Sequence, residues 1–421
     1  MVDLLKDLLP ELLPGLPLRQ PSVTAIFPLF LTYYALAVLA ILPNTFPFRL
    51  FLHPVFLWQA WRCVLVVDLS AWLAQLLGLQ SADRAGDRVI ILNYQFVAIV
   101  FLLVLRSFEW TFIIKEPLRK YELTMNQNTP VEKRLSISSV LLDAFDLCCN
   151  MRGIGWSWSP KSLSQWSTAL HSESISSVFA SFLFYITTFD TAQYLIQLVC
   201  HNVSGNPGGA SIFDPNLSFF PRNAWAAFAS ICGGVWVYSL IATAYCVVAL
   251  ISRVVFRHPA SHWPPISHNP LLSTSIHEFW SSRWHQLFRH LFITFGARPG
   301  GALLGRPGAL MGGFAVSAVL HHVAAWGLAG YSPEPSMGGF FLLMGLGSTM
   351  EDAFEKATGT SVHGISGWLW TTLWSVMWGG PVFDELVRNG MLTSEFFPYG
   401  LRPGKALVDI IIRLPDITGI R

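Results

Sequence analysis

An all-α, polytopic membrane protein is what this sequence specifies, with about eight spanning helices and an interfacial amphipathic helix ahead of the span at Ala309–Ala329. Three observations carry that reading. Of the 421 residues, 52% are apolar and only 12% are charged, whereas charged residues make up about a quarter of a soluble domain. Mean hydropathy is +0.47. Apolar runs recur at the length of about 20 residues that a helix needs to cross about 30 Å of hydrocarbon. The 27 basic and 25 acidic residues are too few to wet the surfaces of two or three soluble domains. A soluble enzyme and a disordered chain are therefore excluded, and a net charge of +2 offers no surface for nucleic acid. Cys63, Cys148, Cys149, Cys200, Cys232 and Cys246 form no CxxC pair. They sit in or beside apolar runs, as small hydrophobes do, and no disulfide framework or metal site is expected from them.

Residues 1–20 are read as a short interfacial segment. Leu4, Leu5, Leu8, Leu9 and Leu12 share a helical face, while Asp3, Asp7, Glu11 and three prolines interrupt any signal-like run. Residues 21–421 then form a single polytopic membrane domain. Its expected spans are Thr24–Leu42, Val89–Leu105, Ser174–Val199, Ala224–Leu250, Ala309–Ala329, Met337–Met350 and Ile365–Phe383. Phe51–Leu79 is apolar but contains Arg62 and Asp68. It reads as one span with a buried ion pair, or as a broken or interfacial element.

Orientation follows from charge. The segments 106–173 and 253–306 concentrate Lys and Arg, which places them on the cytosolic side. Between them, the connection near 200–222 holds the acceptor sequons of Asn202 and Asn216, usable only on a luminal face. The two signals agree. The basic C-terminal tail, with Arg402, Lys405 and Arg413, asks for the cytosol and fits a simple span count less well.

Among twelve histidines, His321 and His322 stand apart, because they lie inside an expected span. At 1.5 Å per residue His321 is about 18 Å from the start of that span, near the bilayer midplane. An ionisable group at that depth marks a functional site or a polar cavity, or it ties two helices through a hydrogen bond. The stretch Ile276–Arg289 carries apolar residues at helical spacing, and Ser281, His285 and Arg289 fall on one stripe at i, i+4. A surface helix whose histidine faces water has the same pattern. Arg152-Gly153-Ile154-Gly155-Trp156 offers backbone N–H groups to a phosphate, or is simply a turn. Di-iron chemistry is disfavoured: Pro259 sits between His258 and His262, and no HxxHH box exists.

Three stretches together resemble the membrane-bound O-acyltransferases: Arg152–Trp156, Phe279-Trp280-Ser281-Ser282-Arg283-Trp284-His285-Gln286, and Ser317-Ala318-Val319-Leu320-His321. The likeness covers most of residues 20–400 and is to the wax-synthase-like branch, whose characteristic region falls at about residues 250–350, and to its fungal members that acetylate terpenoids and meroterpenoids. Trp263-Pro264-Pro265 is similar to that branch as well. The resemblance implies His321 and His285 as catalytic residues. It implies substrate or CoA contacts from Arg152, Trp280, Arg283, Trp284, Gln286, Arg289 and Ser317. Diacylglycerol and sterol acyltransferases usually carry Asn where this chain has His285, and the family often has Gly where it has Ala318.

The implied reaction transfers an acetyl or longer acyl group from acyl-CoA to the hydroxyl of a lipophilic alcohol. His321 would act as a neutral general base on the hydroxyl, which is a poor nucleophile alone. His285 would orient the thioester or stabilise the developing oxyanion. Acyl-CoA is a co-substrate, with no permanently bound cofactor. The expected setting is a multi-pass protein of the endoplasmic reticulum. A long-chain wax-ester synthase and a non-catalytic transporter are the competing readings, and the absence of an internal repeat weighs against the transporter.

Overall fold

Segments immersed in hydrocarbon must satisfy their own backbone groups, so apolar runs of this length fold as helices. The structure, a computed structural model, describes residues 20–76, 89–114, 136–158, 174–200, 210–328, 334–393, 397 and 401–418. Their elements are helices, with one isolated bridge between Gln20 and Val67. Residues 1–19 and Asn202, read above as an interfacial segment and a sequon, lie outside the described residues.

Four helical runs are long and apolar enough to cross a membrane: Ile91–Ile113, Ile175–Val199, Phe219–Val254 and Arg289–Ala325. The expected count of about eight is thus met for four. The segment Thr24–Leu42 forms the shorter apolar helix α1, Ile26–Ile41. The segment Phe51–Leu79 is broken, into α2 (Phe46–Val66) and α3 (Leu69–Leu76). Its Asp68 forms no pair with Arg62. The carboxylate instead accepts from the Ala71 N–H and the Asn93 amide, each at 2.9 Å, and so caps α3. The last two expected spans do form helices, Pro335–Thr358 and Gly364–Arg388. Both end in clusters of charged residues, Glu351 to Lys356 and Asp384 to Arg388, which shorten their apolar portions.

The contacts divide the chain into two compact units. In the first, α1 packs on α2, on α4 (Ile91–Phe108) and on α5 (Ile137–Cys149). Tyr33 is in ring contact with Phe56 and Trp110 at 5.7 and 4.7 Å. Arg106 and Glu109 form a fully buried pair at 2.5 Å, so each charge is compensated.

The second unit holds the motifs. Helices α6 (Ile175–Val199) and α7 (Phe219–Val254) run against each other. The buried Ala226, Ala229, Gly233 and Ala242 of α7 are small enough to let neighbours approach. The remaining helices are α8 (Arg289–Ala325), α9 (Pro335–Thr358), α10 (Gly364–Arg388) and α11 (Pro403–Thr418). Buried Asp190 of α6 ties down α11: it accepts from the Gly404 and Lys405 N–H groups and pairs with Arg402 at 2.8 Å.

Candidate functional site

The run α8 is a hairpin of two helical arms. Non-helical dihedrals at Leu304 and at Gly305 (φ 64°) reverse the chain, and Gly305 supplies the left-handed conformation that a side chain resists. The arms touch backbone to backbone. A Cβ added at Gly296 would lie 2.2 Å from the Gly312 carbonyl oxygen, and one at Gly300 would lie 2.1 Å from that of Gly308. Only glycine permits this approach. With the arms folded back on each other, His285, just before the first arm, and His321, near the end of the second, are near enough to interact electrostatically.

The segment carrying His285 departs from the sequence expectation. A continuous amphipathic helix through Ile276–Arg289 is not formed, and Ser281, His285 and Arg289 do not share a helical stripe. The chain makes a short helical turn, Ile276–Glu278, then a wider turn, Phe279–Arg283, and becomes extended at Trp284 (ψ 170°). A second extended stretch competes for its hydrogen bonds. Gln286 N–H donates to the Ile266 carbonyl at 3.1 Å, and His268 N–H donates to the Arg283 carbonyl at 2.9 Å. Helical periodicity contains no sign of such a partner, which is why the pattern misled.

Two imidazoles result, in different states. His321 Nδ1 lies 2.9 Å from the Ser317 backbone carbonyl. A carbonyl oxygen only accepts, so Nδ1 carries the proton and Nε2 keeps a lone pair. The Phe341 ring stacks on this imidazole at 4.1 Å. His321 as a residue is partly exposed. His285 sits on the loop outside the span, and its buried Nδ1 has no hydrogen-bond partner among the described residues. Burial, reinforced by the positive charge that His321 would carry, pulls His285 down to about 3, so it is neutral at physiological pH. His322 is partly exposed on the same helix, about 100° round from His321.

The other motif residues divide by partner. Trp280 stands among Phe279, Trp284, Phe314, Phe340 and Phe341, with ring centroids 5.0–6.1 Å away. Arg283 is held by Glu278 at 2.7 Å and also faces the His268 and Asn269 carbonyls. Gln286 donates its amide to the Trp284 carbonyl at 2.9 Å. Ser317 is buried and offers His321 its carbonyl rather than its hydroxyl, which is 3.5 Å from the ring. Arg289 opens the first arm of the hairpin. Arg152 is only 5% exposed, and its guanidinium bonds the Pro264 and Pro265 carbonyls rather than facing outward toward a phosphate. Among the described residues no group of three or more His, Cys, Asp or Glu is placed to hold a metal.

Two supporting carboxylates escaped the sequence reading. Glu351 of α9 accepts from the Ile276 and His277 N–H groups at 2.7 and 2.9 Å and from the Trp370 indole at 2.8 Å. Its signal was an acid at the margin of an apolar run, a costly position without partners. Glu278 makes a variant of the capping box: its N–H donates to Ser275 Oγ, while its carboxylate accepts from the N–H of Thr274, one residue before the cap. Ser275 followed three residues later by Glu278 was legible as that motif.

Comparison with known proteins bears on this same region. Residues 263–343 match the Membrane bound O-acyl transferase family. The match contains both histidines and excludes Arg152–Trp156. Acetyltransferase eriL of Hericium erinaceus is 27% identical over 185 residues, which is 40% of this chain and 48% of that protein. A long-chain-alcohol O-fatty-acyltransferase of Simmondsia chinensis is 28% identical over 138 residues, 30% of this chain and 39% of that protein. The chain thus spans about half the length of the first relative and less of the second. No solved structure matches it.

Proposed function

We propose that this chain is a membrane O-acyltransferase that moves an acyl group, most simply acetyl, from acyl-CoA to the hydroxyl of a lipophilic alcohol. The single observation that carries the reading is the tautomer of His321. With Nδ1–H donated to Ser317 O, the Nε2 lone pair is the basic position available to a substrate. In the proposed step Nε2 takes the hydroxyl proton as the oxygen attacks the thioester carbonyl. The tetrahedral oxyanion collapses, the C–S bond breaks, and the imidazolium returns its proton to the departing CoA thiolate. Neutral His285, with Nδ1 unpartnered, is assigned to the oxyanion or the thioester oxygen, which requires the tautomer protonated at Nδ1. Arg289 and the basic 253–306 segment are assigned to the CoA phosphates on the cytosolic side.

The fungal relative, named an acetyltransferase, supports acetyl as the group transferred; a terpenoid or meroterpenoid alcohol as the acceptor, in secondary metabolism, is what the resemblance to the fungal branch implies. The plant relative, named for long-chain alcohols and fatty acyl groups, favours a second reading as a wax-ester synthase. We place the protein in the endoplasmic reticulum with Asn216 on the luminal side. Its exposed position in the turn before α7 supports its use as a glycan acceptor. The test is incubation of membranes with labelled acetyl-, octanoyl- and palmitoyl-CoA, each with a polycyclic or a long-chain alcohol. Acetyl ester formed on the polycyclic alcohol is the expected product. Absence of any ester, in membranes holding the folded protein, overturns the reading.

A further inference from the structure

Resting on that acyl-transfer reading, we infer that Arg152 is a positioning residue that sets the place of His285 through the backbone of Pro264 and Pro265. One arm of its guanidinium donates to the Pro264 carbonyl at 2.8 Å and the other to the Pro265 carbonyl at 3.0 Å. The planar fork of arginine fits two successive carbonyls as a point charge does not. Tyr245 completes the clamp: its hydroxyl donates to the Pro264 carbonyl at 2.6 Å and lies 3.2 Å from the guanidinium.

The clamp acts where the chain has no donors of its own. Prolines 264 and 265 lack N–H groups and cannot be fixed by backbone pairing through them. The next residues carry the link onward. Ile266 O receives the Gln286 N–H, and His268 N–H goes to Arg283 O. These two bonds bracket Trp284 and His285, so a shift of Pro264–Pro265 displaces the histidine directly.

The loop around Arg152 is shaped for this. Asn150 bonds both the N–H and the carbonyl of Ile154 through its side chain, at 3.0 and 2.8 Å. Gly153 (φ 65°) makes the reversal, and a Cβ there would lie 2.3 Å from the Trp158 ring. Trp158 in turn packs on His290 at 4.5 Å, beyond the far end of the His285 stretch. The stretch from Arg152 to Trp158 therefore contacts the chain on both sides of His285, at Pro264–Pro265 and at His290.

Arg152→Lys, Arg152→Gln and Tyr245→Phe test this with two donors, acetyl-CoA and S-acetyl-pantetheine, which carries the same thioester without the nucleotide phosphates. Misplacement of a reacting group by about 1 Å costs about 100-fold. The expected result for both Arg152 variants is a kcat loss of that order, equal on the two donors, with KM for acetyl-CoA little changed. Arg152→Lys should recover only part of the activity, and Tyr245→Phe should lose less than either. A loss confined to acetyl-CoA and expressed as a raised KM overturns the proposal in favour of a phosphate contact.

A readout independent of turnover is carbethoxylation of His285 by diethyl pyrocarbonate, followed by peptide mass. It should quicken in Arg152→Lys protein that melts like the wild type. Unchanged reactivity in that folded variant also overturns the proposal. Wild-type membranes that form no ester from either donor would instead overturn the acyl-transfer reading, while the His285 reactivity still decides the role of the clamp.

Discussion

The backbone carbonyl of Ser317 holds the Nδ1 proton of His321 at 2.9 Å, one helical turn away. That leaves the lone pair on Nε2, the nitrogen that takes the hydroxyl proton in the proposed step. Because the partner is main chain, no side-chain substitution at residue 317 removes it. Ser317→Ala should keep activity within a few-fold. His321→Ala should lose the factor of about 10²–10⁴ that general-base catalysis supplies. Ester formation in membranes of matched expression measures both. Full turnover by His321→Ala would end the assignment.

His285 makes stability depend on pH. Unfolded, its ring titrates near 6.5; folded, it stays unprotonated down to about 3. Between those values the unfolded chain binds more protons, so this group's contribution is complete above about pH 6.5 and is lost progressively as pH falls toward 3. The slope is at most about 1.4 kcal/mol per pH unit from one group. Thermal unfolding in detergent at pH 7 and pH 5, compared with His285→Asn, reads it. The variant should show the shallower dependence, and equal slopes would contradict the assigned environment.

The glycine contacts of α8 hold its two arms together, and the second arm carries His321. Gly312→Ala and Gly300→Ala each drive a methyl into a carbonyl oxygen across the hairpin, and overpacking of this kind costs about 1–3 kcal/mol. Gly338 and Gly339 on α9 have open space where a Cβ would go, and alanine there should be neutral. Melting temperature and activity should fall together at 300 and 312 and stay level at 338 and 339. Equal behaviour at all four positions would mean that the close approach is not what holds the arms.

Glu351 fixes the start of the Ile276–Arg283 turn. Glu351→Ala strands two N–H donors and the Trp370 indole, and each buried orphan costs about 1–3 kcal/mol. Glu351→Gln keeps an acceptor oxygen and should be the milder variant in both melting and turnover. The reverse order would show that charge, rather than capping, is what the site requires.

Topology has its own test. Asn216 lies exposed in the turn before α7, on the connection assigned to the lumen. An endoglycosidase-sensitive mass shift should disappear in Asn216→Gln. A persistent absence of glycan on the wild type expressed in a glycosylating host would count against the luminal placement.

The sequence by itself determined the all-helical, apolar character of this protein, the two histidines and the family resemblance, because those depend on composition and local spacing alone. His321 was legible as an imidazole deep in an apolar run, and the Phe279–Gln286 motif as a unit. Only the tertiary structure decided that this unit is not a helix, since the acceptor that extends it, Ile266 O, lies 20 residues upstream. The same holds for Arg152, whose guanidinium bonds carbonyls 112 and 113 residues away. The glycines of α8 were each visible, but that they face one another depends on the reversal at Leu304–Gly305, which splits one apolar run into two arms. Local patterns record what a residue prefers; which distant donor or acceptor satisfies it is settled by packing.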